Sequence, residues 1–372
     1  MEIFFLLFIF LYALLLLSMK RHWQLKRTSN SNGEYGASTA LLIPFRNEAE
    51  HLPKLLLNLK KILHSSQEVV FIDDDSADDS AAMVWDFLKK RNLNHWVLLK
   101  SAGSGKKAAL TTGVQYSQAE IILTTDADCL LPHDWVRRMT WPFQQSETQL
   151  VAGPVMTVGG SGFFSRFQQI EWGSILLVTR YLFSIGKPLM CSGANLAYRR
   201  SAFLAVKGYS DNEIYPSGDD EFLLKKVVQH FGVQAAMYLN DKEVLVETQP
   251  AANWSAFVQQ RVRWAGKWRL HRSFVNSLSS ASAFFLATVE LATIMLLFGS
   301  IGPKLVFLFI WVLKILIERR VLGKVLADFY RSHPIYYYIG TSFLHPIYVV
   351  WVGLGTISGK YTWKGRNNQF KF

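Results

Sequence analysis

The chain has 372 residues, of which 50% are hydrophobic and 18% charged, and its formal net charge is +12. This length suffices for one large domain or two ordinary ones, but a mean hydropathy of +0.13 is too apolar for an ordinary soluble enzyme and indicates membrane segments. Two cysteines, Cys129 and Cys191, exclude a disulfide framework and, without C-x-x-C spacing, a cysteine zinc site. Basic residues flank apolar runs, as at Lys20-Arg21, which favours a cytosolic membrane surface over a nucleic-acid-binding face.

The chain opens with an almost unbroken apolar run, Ile3–Met19. A helix of this length reaches about 25 Å, near the lower limit for crossing a bilayer. A cleaved signal peptide would need a basic segment before the run, whereas Glu2 precedes it and Lys20-Arg21 follows it. We therefore expect an uncleaved anchor with its N-terminus outside at residues 1–20, followed by a polar linker at residues 21–37.

Short apolar runs then alternate with helical patterns. Strands are expected at Ala40–Pro44, Glu68–Ile72, His95–Leu99 and Ile121–Thr125, with helices at 48–63, 78–91 and 106–116. This alternation predicts an α/β domain at residues 38–275, with a mostly parallel sheet and crossover helices. In such sheets ligands bind at the carboxyl ends of the strands.

Three apolar segments follow, at Ala281–Ser300, Leu305–Ile317 and Ile335–Ile357. We expect two or three membrane spans within residues 276–358 and a basic tail at residues 359–372. Two crossings keep Arg319 and Arg320 in the cytosol, whereas a third full crossing would leave the tail outside, and both topologies stay open. An earlier apolar stretch, Phe163–Met190, is interrupted by charged residues and is expected to be an amphipathic helix on the sheet or on the bilayer surface.

Four polar clusters stand out. Asp73-Asp74 and Asp126-Asp128 lie at the ends of predicted strands, Asp219-Asp220 lies between a glycine-containing loop and an apolar helix, and Gln260-Arg263-Trp264 lies just ahead of the membrane region. Each also has a structural explanation, because carboxylates cap helix N-termini and Arg and Trp anchor chains at membrane interfaces. Two like charges about 5 Å apart repel by about 3 kcal/mol at an effective dielectric near 20, so Asp126 and Asp128 suggest a bound cation. Gly103–Leu110 lacks the spacing of a Walker motif, although its Lys106 could reach a diphosphate.

Taken in order, these motifs resemble the membrane-bound family 2 glycosyltransferases of the GT-A fold that carry a Q-x-x-R-W motif. The matching segments are Leu42–Leu52 with P-x-R-N-E, Asp73–Asp78 with D-D-x-S-x-D, Gly105–Leu110 with G-K-x-x-A-L, Asp126–Asp128 with D-x-D, Cys191–Arg200 with the acceptor-side segment, Gly218–Leu223 with E-D-x-x-L, and Gln260–Trp264 with Q-x-x-R-W. Asp219 stands where the family has Glu. A lone D-x-D is a weak signal, whereas the ordered set, spanning roughly residues 40–268, is specific.

The resemblance implies a divalent cation, Mg²⁺ or Mn²⁺, bound mainly by Asp128, with Asp126 directed to the ribose or the metal. It implies nucleotide-sugar contacts from eight residues: Pro44, Arg46, Glu48, Asp73, Asp74, Lys106, Asp126 and Asp128. It also implies that Asp220 is the general base that takes the proton of the acceptor hydroxyl in an inverting displacement. The acceptor and diphosphate side would be formed by Asp219, Gln260, Arg263 and Trp264.

The expected protein is therefore a membrane-anchored inverting glycosyltransferase in a bacterial inner membrane, with a cytosolic catalytic domain. Its donor would be a nucleotide sugar, with a UDP-sugar as the first expectation, and its acceptor a lipid or lipid-linked glycan. One alternative is a processive polysaccharide synthase, which needs enough spans to build a channel. Another is a nonenzymatic membrane scaffold, which predicts loss of the acidic residues. No nucleic-acid partner is expected.

Overall fold

The structure, a computed structural model, describes residues 1–24, 36–63, 66–91, 93–212, 218–266, 274–358, 360–363 and 366–369. Most of the expected linker and part of the expected basic tail lie outside the described residues. The chain divides into two compact units. A sheet unit comprises Leu25–Val158 and Leu182–Gln249, and a helical unit comprises Met1–Gln24, Gly159–Tyr181 and Pro250–Phe372. The domain boundaries expected from the sequence stay a prediction.

The sheet unit contains two sheets. The larger is formed by β1 Thr39–Phe45, β2 Glu68–Asp73, β3 Trp96–Lys100, β4 Ile121–Thr124, β6 Leu150–Ala152, β8 Leu196–Arg199 and β9 Ala236–Tyr238. The smaller is formed by β5 Cys129–Leu130, β7 Val155–Thr157 and β10 Val246–Thr248. The strand orders are β3-β2-β1-β4-β8-β6-β9 and β5-β10-β7. Strands β1 to β4 pair in parallel, and β8 is antiparallel to both neighbours.

Crossover helices link these strands, as the sequence predicts. They are α2 Leu52–Ile62, α3 Ser80–Arg91, α4 Lys106–Tyr116, α5 Trp135–Thr140, α7 Arg200–Ala205 and α8 Asp219–Phe231. The mostly parallel α/β architecture is confirmed, and α4 has the expected bounds. The helix expected from residue 48 begins only at Leu52. The chain turns at Asn47, where φ is 50°, and Pro53 lies in the first helical turn, where proline is tolerated.

Both faces of the main sheet are buried, which explains why β1 and β2 are almost continuously apolar. On one face Leu42 and Ile72 pack into a cluster with Leu110 of α4 and Leu223 of α8. Strands buried on both faces need apolar residues at every position, not only at alternate ones. Packing of this core therefore determines where the loops that follow the strands leave the sheet.

The strand directions bring several loops to one edge of the sheet. Phe45 of β1 pairs with Asp73 of β2, so the loops after these parallel strands leave the sheet side by side. Thr124 near the end of β4 pairs with Leu196 at the start of the antiparallel β8. The segments before β8 and after β1, β2 and β4 therefore meet at this carboxyl edge.

The helical unit contains the long helices. They are α1 Glu2–His22, α6 Gly162–Ser184 (whose last turn belongs to the sheet unit), α9 Trp254–Ala265, α10 Phe274–Ala292, α11 Ile301–Asp328 and α12 Ile335–Ser358, followed by a hairpin of β11 Lys360–Trp363 and β12 Arg366–Gln369. Among the described residues, three segments are long and apolar enough to cross a membrane: Glu2–His22, Ala281–Phe298 and Ile335–Ile357. This agrees with the expected anchor and with two C-terminal spans.

The expected span Leu305–Ile317 lies inside α11, which is not among these three segments. Lys314 and Glu318 interrupt its apolar sequence, yet both side chains are buried and form an ion pair with each other. Glu290 Oε1 lies 3.6 Å from Lys314 Nζ, and Tyr12 donates a hydrogen bond of 2.7 Å to Glu318. Buried charges are tolerated only when paired, so this cluster offsets the cost of charges within the helix bundle.

Helix α6 accounts for most of the stretch expected to be an amphipathic helix, but it ends at Ser184, before Met190. A Cβ on Gly173 would lie 3.4 Å from the side chain of Leu326, so α6 crosses α11 closely at this point. A Cβ on Gly340 of α12 would lie 2.5 Å from Phe163 at the start of α6. The apolar face of α6 is thus covered by helices of its own unit.

Candidate active site

The loops that follow β1 and β2 hold each other at the carboxyl edge. Arg46 donates from Nη1 to the carbonyl oxygens of Asp74 and Asp75, each at 2.6 Å. Asn47 accepts a hydrogen bond of 2.8 Å from the backbone N–H of Ala77 through Oδ1. Asn47 and Asp75 both have positive φ, a conformation that Asn and Asp tolerate better than most residues. The two loops therefore form one interlocked edge.

Pro44 and Glu48, both expected to contact the donor, are buried at this edge. Pro44 is an inner residue of β1, paired with Ile72. Glu48 is 8% exposed; its backbone N–H donates to Ser80 Oγ at 2.7 Å, and its Oε2 lies 2.8 Å from His51 Nδ1. These contacts orient the loop, and a donor-binding role of either residue stays a prediction.

Asp73 and Asp74 differ in what their carboxylates contact. Asp73 is half-buried and accepts a hydrogen bond of 3.0 Å from the backbone N–H of Ser76. Asp74 is 3% exposed, and its Oδ1 accepts from the backbone N–H of Gly105 at 2.7 Å. Asp74 thus ties the second-strand loop to the start of α4, and it holds the residue that precedes Lys106.

Lys106 joins two of the predicted acidic motifs. Its Nζ lies 2.6 Å from Asp126 Oδ1 and 3.1 Å from Asp219 Oδ2. Burial alone would lower the pKa of Lys106, but the charges of Asp126 and Asp219 outweigh that effect and raise the pKa above its ordinary value. The ammonium group is therefore charged and bridges the end of β4 and the start of α8.

Gly193 makes the close approach of these groups possible. A Cβ at this position would lie 2.5 Å from Asp219 Oδ2 and 3.1 Å from Lys106 Nζ. Its backbone N–H donates to Asp220 Oδ2 at 3.1 Å, while Asp220 Oδ1 accepts from the N–H of Glu221 at 2.8 Å. Both oxygens of the Asp220 carboxylate are thus oriented by backbone donors.

A buried asparagine holds the segment that contains Gly193. Asn195 is fully buried; its Nδ2 donates to the carbonyl oxygens of Pro154 and Val244 at 2.8 and 2.7 Å, and its Oδ1 accepts from Trp135 Nε1 at 2.9 Å. Thr124 at the end of β4 donates to the Gly193 carbonyl at 2.7 Å. The Asn195 amide thus uses both its nitrogen and its oxygen to hold this edge of the sheet.

Asp128 directly precedes β5, the first strand of the smaller sheet. Its Oδ2 accepts a hydrogen bond of 3.3 Å from Thr248 Oγ1 of β10, and its Oδ1 lies 3.5 Å from the thiol of Cys129. Burial, together with the charges of Asp128 and Asp126, raises the pKa of the Cys129 thiol well above its ordinary value. Cys129 is therefore a neutral, buried neighbour of the D-x-D carboxylates.

The donor set of Asp126 and Asp128 fits a hard divalent cation. Carboxylate oxygens are the ligands that Mg²⁺ and Mn²⁺ prefer. Within the described part of the chain, no group of three or more His, Cys, Asp or Glu side chains could hold a metal ion. A cation at this pair would need phosphate or water oxygens to complete its shell, which is how Mg²⁺ usually binds beside a nucleotide.

Gln260, Arg263 and Trp264 lie on α9 of the helical unit. The indole of Trp264 meets that of Trp172 edge to face at 5.6 Å. Between these motif residues lies Arg261, which is 4% exposed and ion-paired with Glu171 of α6. Burial alone would lower the pKa of Arg261, but the Glu171 carboxylate outweighs it and raises the pKa. The roles expected for the three motif residues stay predictions.

Sequence reasoning assigned no individual role to Gly193, Asn195, Arg261 or Glu171, although Gly193 and Asn195 lie in the segment Cys191–Arg200 that resembles the acceptor-side segment. The sequence does contain a signal for Glu171 and Arg261, because a buried carboxylate in a largely apolar helix has to be paired with a cation from another element. Arg261 also lies four residues after Phe257 and three before Trp264, an aromatic spacing that places all three on one helix face. That resemblance does not give the individual roles of Gly193 and Asn195, because these depend on which residues pack against them.

Comparisons with known proteins agree with this architecture. Residues 40–206, somewhat less than half of the chain, match the family model "Glycosyl transferase family 2". The poly-beta-1,6-N-acetyl-D-glucosamine synthase of Staphylococcus epidermidis is 25% identical over 235 residues, which cover 61% of this chain and 53% of that protein. The undecaprenyl-phosphate 4-deoxy-4-formamido-L-arabinose transferase of Pseudomonas fluorescens is 28% identical over 166 residues, 44% of this chain and 47% of that protein.

The chain therefore spans about half the length of these curated relatives. Among solved structures, the mannosyltransferase PcManGT from Pyrobaculum calidifontis, in complex with GDP-Man and Mn²⁺, aligns with a TM-score of 0.56 and 17% identity. The alignment covers 96% of this chain and 97% of that one. This likeness establishes the shared fold, and the expected GT-A architecture with membrane helices is confirmed.

Proposed function

We propose that this chain is a membrane-anchored inverting glycosyltransferase that moves a sugar from a nucleotide sugar to a lipid or lipid-linked glycan. The observation that carries the proposal is the meeting of Lys106, Asp126 and Asp219 at the carboxyl edge of the sheet, with Asp220 oriented beside them through Gly193. Three motifs that are far apart in the chain converge where this fold class binds ligands. Two of them, those of Lys106 and Asp126, lie within the residues that match the glycosyl transferase family 2 model.

The donor would lie along this edge. We assign the nucleotide to the interlocked loops that carry Arg46 and Asp73, with Pro44, Glu48 and Asp74 supporting them, and the diphosphate to the region of Lys106. Asp126 and Asp128 would hold Mg²⁺ or Mn²⁺, and when bound this ion stabilises negative charge on the diphosphate that leaves. PcManGT, a protein of similar fold, was solved with Mn²⁺ and GDP-Man. We propose a UDP-sugar as the donor of this chain.

Asp220 is the proposed general base. It would accept the proton of the acceptor hydroxyl while that oxygen forms a bond to the anomeric carbon and the bond from carbon to diphosphate breaks. Backbone N–H groups of Gly193 and Glu221 orient its two oxygens. A single in-line displacement of this kind inverts the configuration of the sugar. Asp219, paired with Lys106, would hold the ammonium group of this lysine next to the diphosphate that leaves.

The acceptor is proposed to be a lipid or lipid-linked glycan at a membrane surface. The candidate membrane helices and the relative that acts on undecaprenyl phosphate support this class of acceptor. We further propose the bacterial inner membrane, with the sheet unit on the cytosolic side, because the basic residues Lys20-Arg21 follow the first apolar helix. Arg263 and Trp264 are assigned to the diphosphate and the acceptor by motif alone.

A processive polysaccharide synthase is the second candidate. The similarity to poly-beta-1,6-N-acetyl-D-glucosamine synthases favours it. The two candidates differ in their product, because a single-transfer enzyme adds one sugar to each lipid and a synthase extends a chain. Analysis of product length by mass spectrometry separates them.

The test of the proposed function is sugar transfer by the purified full chain in lipid bilayers. A panel of nucleotide sugars with Mg²⁺ or Mn²⁺ and polyprenyl phosphate or glycolipid acceptors should release one nucleoside diphosphate and form a glycosylated lipid. Asp220→Asn should lower kcat by about 100-fold or more while leaving donor binding intact. Asp211→Asn is a matched control, since Asp211 is exposed and Asn tolerates its positive φ. Absence of transfer with every donor, or full activity of Asp220→Asn, would contradict the proposal.

A further inference from the structure

Helix α11 follows α1 in the same direction within the helical unit. The rings of Phe10 and Phe309 lie 6.2 Å apart, and further along both helices Trp23 Nε1 donates to Asp328 at 2.9 Å. Helix α1 is long and apolar enough to cross a membrane. Because α11 packs along it over this length, we expect α11 to cross the same layer, although Lys314 interrupts its apolar sequence.

Helix α10 lies beside α11 in the opposite direction. Trp311 Nε1 donates to Thr293 at 3.0 Å, and Glu290 Oε1 lies 3.6 Å from Lys314 Nζ. One turn back along α10 therefore corresponds to one turn forward along α11. By this register Phe284, six residues before Glu290, lies roughly 9 Å closer than Lys314 to the level at which α11 ends.

The first half of α12 runs back along α11 toward the start of α11. The Tyr338 hydroxyl lies 3.2 Å from the position that a Cβ on Gly323 would take. Further along α12, the ring of Phe343 stacks on that of Trp311 with the ring centres 4.2 Å apart. Trp311 lies about 18 Å before Gly323 along the axis of α11. This half of α12 therefore reaches well into the layer that α11 crosses.

The second half of α12 returns to the depth at which the helix began. A Cβ on Gly353 would lie 2.5 Å from the side chain of Phe284. By the register of α10 and α11, Phe284 and Gly323 lie within about 5 Å of the same depth. A straight helix cannot reverse in this way, but α12 contains Pro346, and an internal proline removes a backbone hydrogen bond and bends a helix. Pro346 lies between Phe343 and Gly353, where the contacts reverse direction.

The end of α12 packs against a polar helix. A Cβ on Gly355 would lie 2.7 Å from the side chain of Val262 of α9. Helix α9 also carries Gln259, Gln260 and Arg263. Side chains of this kind are costly in hydrocarbon, so the end of α12 is expected at a membrane surface and not in the middle of a bilayer.

One face of α12 is apolar and exposed along the length of the helix. The members of this lipid-facing stripe are spaced by three or four residues: Ile339, Phe343, Ile347, Trp351 and Leu354. Each of them is between 41% and 58% exposed. A single apolar face of this kind suits a helix that contacts acyl chains on one side and protein on the other, and the exposed Trp351 suits the interfacial region of a bilayer.

We propose that α12 is a re-entrant helix, which enters the bilayer beside α11, bends at Pro346 and returns to the same side. Its length and apolarity would allow a crossing, but its contacts bring both of its ends to one depth. The basic tail, with Lys360 and Arg366, then lies on the same side as Lys20-Arg21, which a third C-terminal crossing would prevent. The partner of the lipid-facing stripe is the lipid of that leaflet.

The first test asks on which side of the membrane each end of α12 lies. Single cysteines replace Ser300 in the turn between α10 and α11, Ser332 before α12 and Thr362 after it, in the full chain with Cys191→Ala. A membrane-impermeant maleimide is added to sealed vesicles of known orientation, with the parent that retains only Cys129 as the blank. We expect Ser332→Cys and Thr362→Cys to be labelled from one side and Ser300→Cys from the other. Labelling of Ser332→Cys and Thr362→Cys from opposite sides would overturn the proposal.

The second test measures the bend and also decides the matter if Thr362→Cys folds poorly. Pairs of spin labels join Ser300 to Ile339, Ile347 or Leu354, all exposed positions, in lipid nanodiscs. A re-entrant helix places the label at Ile347 nearest to Ser300, with the labels at Ile339 and Leu354 both further away. A straight crossing instead gives distances that fall steadily from Ile339 to Leu354, over about 22 Å of helix.

The same labels test lipid as the partner of the stripe. Oxygen should reach them more readily than a water-soluble nickel chelate does, because oxygen concentrates in hydrocarbon. Greater access for the chelate would place the stripe in water, and access for neither reagent would indicate a covering protein surface such as a second copy, and both outcomes overturn the assignment. Neither test depends on sugar transfer, so a parent inactive on every donor would contradict the proposed function and leave this inference standing.

Discussion

The ammonium group of Lys106 lies between two carboxylates, 2.6 Å from Asp126 Oδ1 and 3.1 Å from Asp219 Oδ2. These acidic residues belong to different motifs, one at the end of β4 and the other at the start of α8. A cation between them removes the mutual repulsion that two carboxylates would otherwise have at a sheet edge. Lys106 thus places a positive charge between two of the acidic motifs of the candidate active site.

Lys106→Met should therefore impair both donor binding and stability. Methionine keeps the length of the side chain but leaves Asp126 and Asp219 without their shared cation. We expect the free energy of unfolding to fall by about 1–2 kcal/mol, because the pair is only partly shielded from water. The KM for the nucleotide sugar should rise by about 10- to 100-fold, the worth of a charge-assisted hydrogen bond to phosphate.

Lys100→Met, at an exposed position that ends β3, is the matched control for the loss of one positive charge. Isothermal titration with the nucleoside diphosphate measures the loss of affinity directly. Equal affinity in the parent and in Lys106→Met would show that this lysine does not contact the diphosphate.

Gly193→Ala should impair transfer while leaving the fold largely intact. The new methyl group would lie 2.5 Å from Asp219 Oδ2, so that carboxylate has to turn away and its contact with Lys106 is broken. The free-energy cost should be small, about 1 kcal/mol, since a side-chain end moves and no backbone is forced. Kinetic measurement of transfer, with circular dichroism as the folding check, tests this. Gly36→Ala should be neutral, since among the described residues no atom beyond its chain neighbours lies within 4 Å of the new methyl.

Asp128→Asn should weaken binding of the divalent cation. Loss of one carboxylate from a site with two of them should lower the affinity for Mn²⁺, measured by electron paramagnetic resonance with nucleoside diphosphate present, by about 10- to 100-fold. Transfer should fall in parallel, and a chelator should abolish it in the parent. Asp79→Asn, at an exposed loop position, should change neither quantity. Metal affinity unchanged in Asp128→Asn would refute the assignment.

Cys129 should resist alkylation in the folded protein. The raised pKa of its thiol means that, at any given pH near neutrality, its thiolate fraction is smaller than that of an ordinary cysteine, and burial also blocks access. In a Cys191→Ala background, where Cys129 is the only thiol, maleimide should react rapidly only after denaturation. Rising pH up to 9 should leave the folded protein nearly unlabelled. Rapid labelling of the native state would place the thiol, and the adjacent Asp128, in solvent.

Much of the sheet unit could be predicted from the sequence because its signals are local. The alternation of apolar runs with helical patterns determines the order of strands and crossover helices, and in a parallel sheet that order determines which loops share an edge. Asp73, Asp126 and Asp128 could thus be assigned to the carboxyl edge without coordinates. The start of α2 was misjudged, because the turn at Asn47 depends on the neighbouring loop that holds it.

What the sequence by itself determined is the type of the first four strands and their crossover helices, the candidate membrane segments at both ends and the edge where polar residues gather. What only the tertiary structure decided is which charges neutralise each other: Lys106 with Asp126 and Asp219, and Arg261 with Glu171. The hydrophobic periodicity of the sequence indicates which residues are buried, whereas an ion pair depends on the distance between residues that are remote in the chain. That distance is set by the packing of whole elements, including the absence of a side chain at Gly193.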